Sequence, residues 1–145
     1  MGTGRYIECT KCDNWSYPES LFLALREIAE SGSSTPCGCG ARTELHLDFN
    51  FATDGSGPRQ CVVRNAFLPK RRPSWKQGNQ IVEFFPFLVF LEQRKPYGRA
   101  VWLPYWHVKR SKAKRTTLFG QWAPFMGQDL YRSLLRQARA AGCIK

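Results

Sequence analysis

The spacing of apolar residues changes period along this chain. From Leu21 to Ala29 it is helical: Leu21, Leu25, Ile28 and Ala29 share one face with Phe22 beside them, while Arg26, Glu27 and Glu30 face out. Ser16 and Glu19 stand at capping-box spacing, Pro18 suits a first turn and Gly32 supplies a stop, so the pattern predicts a helix entered at Ser16. From Glu44 to Phe51 the period becomes two. Leu45, Leu47, Phe49 and Phe51 take one side and Glu44, His46, Asp48 and Asn50 the other, as in a half-buried strand. Ala52 to Pro58 reads as a turn, Arg59 to Leu68 as a second strand, and Pro69 to Asn79 as a polar loop.

Two later runs are apolar on both faces. Ile81 to Leu91, interrupted only by Glu83 and Pro86, predicts one central strand with a bulge or edge at the proline. Ala100 to Val108 predicts another, and Pro96-Tyr97-Gly98 the turn between them. Lys109 to Arg115 reads as a hairpin tip with a return strand over Thr116 to Trp122. A second amphipathic helix, Gln128 to Ala141, sets Leu130, Leu134, Leu135 and Ala138 against Arg132, Arg136 and Arg139.

Four cysteines fall in two tight pairs, Cys9-x-x-Cys12 and Cys37-x-Cys39, on either side of the first helix. A pair on a tight turn delivers two soft ligands at once, and four thiolates suit a tetrahedral zinc ion. Gly38 and Gly40 permit the sharp turn of the second pair, and Lys11 offsets part of the negative charge of a tetrathiolate. The CTKC and CGCG knuckles, over Cys9 to Gly40, resemble zinc-ribbon and related zinc-finger modules. The sequence departs from them in having one residue inside the second knuckle, and a helix where a ribbon places a hairpin. Iron fits the same four thiolates, and His46 or Cys61 are substitute ligands by type. A disulfide framework calls for an oxidising compartment, and a redox role for Cys9 and Cys12 calls for a βαβ setting. With four protein ligands the metal has no open position and serves structure, not catalysis.

The predicted fold class is therefore α+β: an antiparallel sheet of about four to five strands, a C-terminal helix, and an N-terminal four-cysteine knuckle-helix-knuckle unit. Residues 1–42 form the zinc module with its inserted helix. Residues 43–145 form the basic sheet and helix, packed with it as one unit.

Charge sharpens this division. The chain has 145 residues and a net charge of +11, yet residues 1–54 sum to −4 and residues 55–145 to +15. Such asymmetry points to nucleic acid or another polyanion as the partner of the second part, although charge also serves solubility alone. The candidate phosphate and base contacts are Lys70, Arg71, Arg72, Trp75 and Lys76 in one basic loop, and Lys109, Arg110, Lys112, Lys114 and Arg115 in another. Tyr97 and Trp106 are further stacking candidates. The alternative is an adaptor whose basic half binds an acidic protein. A hydrolase has few parts: beyond residue 55 there are three carboxylates and His107, leaving only a mixed site with Glu44, His46 or Asp48. No phosphate-binding loop, dinucleotide fingerprint or H-E-x-x-H motif occurs, and no small-molecule substrate is implied. The absence of a leader-like or membrane-spanning run, together with the reduced thiols a zinc site needs, predicts a cytoplasmic protein without a membrane partner, nucleoid and nucleus included.

Overall fold

The computed structural model describes residues 3–49, 59–96, 98–120 and 126–145. In chain order the elements are β1 (Thr3–Cys9), β2 (Trp15–Ser16), α1 (Leu21–Ser31), β3 (Thr43–Phe49), β4 (Arg59–Phe67), β5 (Ser74–Gln77), β6 (Gln80–Pro86), β7 (Leu88–Gln93), β8 (Arg99–Trp102), β9 (Tyr105–Arg110), β10 (Arg115–Phe119) and α2 (Gln128–Ala140). The class is α+β, but the strands form two antiparallel sheets where one was expected, ordered β2-β1-β3-β4-β7-β8 and β10-β9-β6-β5. Two compact units follow, Met1–Ala66 with Phe90–Val101 and Phe67–Val89 with Trp102–Lys145.

Prolines account for the extra sheet. The run Ile81 to Leu91, expected as one strand, ends its first ladder at Pro86, the last residue of β6 paired with β9. Proline has no N–H to continue a ladder, and after Phe87 the chain resumes as β7 in the other sheet. Ala100 to Val108 is broken in the same way at Leu103-Pro104, giving β8 to one sheet and β9 to the other. The two break points meet, since the fully buried Phe87 donates its N–H to the Pro104 carbonyl at 2.9 Å.

In the first unit the boundary expected at 42/43 is crossed by the sheet itself. β1, assigned by sequence to the metal module, pairs with β3 along its whole length, from Thr3↔Phe49 to Cys9↔Thr43. Leu45, Leu47 and Phe49 are buried as the alternation requires, with Cys61 and Val63 of β4. α1 begins later than expected. Ser16 is spent in β2 opposite Ile7, and Ser20 is the N-cap, its Oγ accepting from the Leu23 N–H at 3.1 Å. Leu21, Phe22, Ala24, Leu25 and Ile28 are its buried residues, and Gly32 ends it at φ 83° with its N–H on the Ile28 carbonyl.

In the second unit, four residues of the segment expected as a polar loop, Ser74–Gln77, are strand β5. It is joined to β6 by the two-residue turn Gly78-Asn79, with Gly78 at φ 64° and Gln77 facing Gln80. The expected hairpin over 109–115 is present, tighter than drawn: Arg110 pairs with Arg115, and the Ser111 N–H closes on the Lys114 carbonyl at 2.8 Å. α2 buries Leu134 and Ala138, while Leu130 and Leu135 are only half-buried. It closes on Gly142 at φ 77°, with Cys143 N–H on the Ala138 carbonyl and Gly142 N–H on that of Arg139. Asn50, Phe51, the turn 52–58, Tyr97 and Trp122 lie outside the described residues.

Candidate functional site

The four predicted cysteines converge. Cys9 closes β1, Cys12 sits on the turn that follows, and Cys37 and Cys39 flank the turn before β3, so adjacent strands bring the two knuckles to one end of the sheet. All four Sγ atoms lie within 4.8 Å of one another, with Cys9–Cys39 at 3.6 Å and Cys12–Cys37 at 3.5 Å. Thiolates about 2.3 Å from a tetrahedral zinc ion sit about 3.8 Å apart, so the set has metal-binding dimensions. None of the six cysteines is in a disulfide.

Backbone geometry aims donors at the sulfurs. The N–H groups of Lys11 and Cys12 both reach Cys9 Sγ at 3.4 Å, and the Asn14 side-chain amide reaches Cys37 Sγ at 3.7 Å. The second knuckle closes by Gly40 N–H on the Cys37 carbonyl at 2.8 Å, with Gly40 at φ 86°; Gly38 needs no such conformation. The thiols titrate against one another. The N–H of Cys39 and the Asn14 amide pull Cys37 down to about 6, and the N–H groups of Cys12 and Lys11 lower Cys9. The Asn14 N–H pulls on Cys12, but its thiol neighbours Cys9 and Cys37 prevail and push it up to about 12. The Ala41 N–H likewise pulls on Cys39, which Cys9 and Cys37 push up. Four sulfurs this close do not all ionise without a cation among them, which is what the donor set is chemically fit to hold.

The substitute ligands lie elsewhere. His46 stacks on Tyr6 with ring centroids 4.7 Å apart and its Nε2 3.3 Å from Glu8, lining a cleft of about 290 Å³ with Asp48, Arg64 and Glu92. Cys61 is buried opposite Leu47, and burial raises its pKa. Arg64 bridges Glu44 and, at 2.6 Å, Glu92. The parts of the mixed hydrolytic site fall in different sheets, Glu44, His46 and Asp48 on β3 and His107 on β9.

The basic residues do not form two equivalent loops. Lys76 lies level with Ile81, Arg110 and Arg115, beside the turn carrying Lys112 and Lys114, so these gather at one end of the four-stranded sheet. Lys70 and Arg71 are exposed and precede Pro73, whose carbonyl pairs with Phe84 further down the ladder, at the other end. Arg72 is structurally engaged: it reaches Glu83 at 3.1 Å and the Pro69 carbonyl at 2.9 Å, and stacks 4.4 Å from the Phe85 ring centroid. Arg110 shares Glu83 at 3.4 Å.

Of the stacking candidates, Trp106 is buried and Trp75 is 44% exposed. Sequence reasoning missed the rings around Trp75. Trp75, Phe84, Tyr105 and His107 form a contiguous group with centroids 5.4 to 5.7 Å apart. The Gly78-Asn79 dipeptide was the available signal, because recognising that hairpin pairs Trp75 with Val82 and leads the register on to His107. Among the described residues no helix is long and apolar enough to cross a membrane. No protein-family model matches the chain, and searches of curated proteins and of solved structures return no match.

Proposed function

We infer that this is a nucleic-acid-binding protein whose four cysteines, Cys9, Cys12, Cys37 and Cys39, hold one structural zinc ion. The observation that carries the nucleic-acid reading is where the charge falls. The unit built on the four-stranded sheet has thirteen Lys or Arg against Glu83 and Asp129, a net of +11, whereas the other unit has nine bases and nine acids. Glu83 already serves Arg72 and Arg110, so the remaining bases outnumber any internal carboxylate and suit phosphates. Four thiolates in a tetrahedron suit zinc and iron alike, so metal analysis decides between them; a reducing compartment such as the cytoplasm keeps the thiols free to ligate. The test is binding of labelled DNA and RNA oligonucleotides across a salt series beside metal analysis. A steep loss of affinity with salt and one zinc per chain are expected. No binding at low salt sinks the first claim, and iron in place of zinc the second.

A second reading, an adaptor for an acidic protein, draws on one observation in the first unit. Beside the cysteine cluster Trp15 is 59% and Tyr17 73% exposed, their rings 5.1 Å apart edge to face. A protein partner that co-purifies after nuclease treatment would favour it.

A further inference from the structure

The four-stranded sheet has one face on which every rung is assigned by register. The first rung carries Trp75, Val82, Lys109 and Thr116. The second carries Phe84, His107 and Leu118, and the third Pro86, Tyr105 and Gly120, the last pair joined by Gly120 N–H on the Tyr105 carbonyl at 2.8 Å. Arg72, Glu83 and Arg110 belong to the opposite face, where Phe85, Trp106 and Val108 are buried.

Val82, Phe84 and Pro86 of β6 are buried on this face too; around them Trp75 and Leu118 are 44% and 43% exposed, and Lys109, His107 and Tyr105 are half-buried. The rings are held in place. Trp75 and His107 meet edge to face, at 78° between ring planes and 5.7 Å between centroids, and Tyr105 lies against Gly120, where a Cβ would come within 2.0 Å of its ring. Burial, and then Lys109, lowers the His107 pKa from its ordinary value. Basic residues stand at both ends of this face, Lys70 and Arg71 at one and Lys112 and Lys114 at the other.

We propose that this face is a stacking platform for single-stranded nucleic acid, with an unpaired base on Trp75, backed by the His107 ring, and flanking phosphates on Lys109 and the basic residues at either end. The proposal deepens the nucleic-acid reading above and rests on it. It selects single strands over duplex because the flat faces of paired bases are already stacked, whereas an unpaired base offers its ring face to an indole. A ring already fixed by its neighbours loses little freedom on binding, so the contact is not spent on ordering it.

The test uses the full chain with fluorescently labelled oligothymidylate, the same oligomer made wholly of abasic sites, and its duplex with oligoadenylate, at matched salt. Oligothymidylate should bind more tightly than either of the others, by on the order of tenfold. Trp75→Ala should lose a similar factor on oligothymidylate only, Trp75→Phe should keep most of the affinity, and neither should change the salt slope. If the abasic oligomer or the duplex binds as well as oligothymidylate, stacking is wrong while salt-dependent binding remains. If none of the three binds, both the platform and the nucleic-acid reading fall. The abasic comparison uses the unaltered protein, so it stands even if Trp75→Ala misfolds.

Discussion

The two units of this chain each join a sheet to a helix, yet they dispose of charge in opposite ways. In the first, acids and bases are equal in number and many are paired: Arg64 with Glu44 and Glu92, Arg26 with Glu30, His46 with Glu8. In the second, two carboxylates face thirteen bases, and Glu83 is shared by Arg72 and Arg110. The first unit thus balances its formal charges internally and sets four sulfurs where they could hold a metal ion. The second carries a charge surplus that nothing within it offsets and that solvent ions or an acidic partner must balance.

The largest expected effect separates the two through the metal. Chelation, or Cys37→Ser, should unfold the cysteine end of the first unit, because structural zinc in such modules contributes about 10–16 kcal/mol of apparent binding free energy. Hydrogen exchange should then lose protection over α1, β1 and β3 before β6 and β9. Equal loss in both sheets would show that the units are not separable in this way.

Next comes Gly120→Ala in the second unit. The new methyl group would meet the Tyr105 ring, so a loss of about 1–3 kcal/mol in urea unfolding is expected. Most of that loss should vanish in a Tyr105→Ala background, since the three atoms nearest the new methyl group all belong to that ring. A cost that persists there would place the strain in the backbone.

Charge removal is expected to be milder and confined to binding. Lys112→Ala with Lys114→Ala should leave the unfolding midpoint almost unchanged, because both are exposed on a turn. It should lower the salt slope of oligonucleotide binding by about 1 per lysine. The matched control, Lys11→Ala in the first unit, should leave that slope alone.

The smallest effect is a pH dependence. Burial, then Lys109, lowers the His107 pKa from its ordinary 6.5, so the unfolded chain takes up this proton first. Its share of stability is full above about pH 6.5 and is lost as pH falls from there through the lowered folded value. His107→Gln should flatten that part of the urea-midpoint profile between pH 7 and 5, whereas His46→Gln should leave it in place.

Much of this was legible in the residues themselves, and for local reasons. The cysteine spacing and Gly40 form each knuckle, because ligands two or three residues apart need only a tight turn, whereas the pairing of β1 with β3 brings the two knuckles together. The alternation Leu45, Leu47, Phe49 sets the buried side of β3, and the helical repeat sets that of α1, because each pattern reflects one element facing one core. Gly32 and Gly142 end the helices where a left-handed residue is required. The cap of α1 was expected at Ser16 and lies four residues later at Ser20, because Ser16 is taken up in β2 opposite Ile7.

Tertiary structure alone decided the rest. A strand that is apolar on both sides carries no mark of which sheet it joins, so although Pro86 and Pro104 set where the two runs break, the sheet that each half joins depended on partners distant in sequence. Register did the same for chemistry. It drew Trp75, Phe84, Tyr105 and His107 into one group, bound Arg72 to Glu83 and Phe85, buried Trp106, and set Lys70 and Lys112 at opposite ends of a sheet. Spacing along the chain specifies a ligand pair or a helix face because neighbours within a turn or two make it. A face shared by four strands is specified only when hydrogen bonds align residues well apart in sequence, as Phe84 with His107 and Ile81 with Arg110.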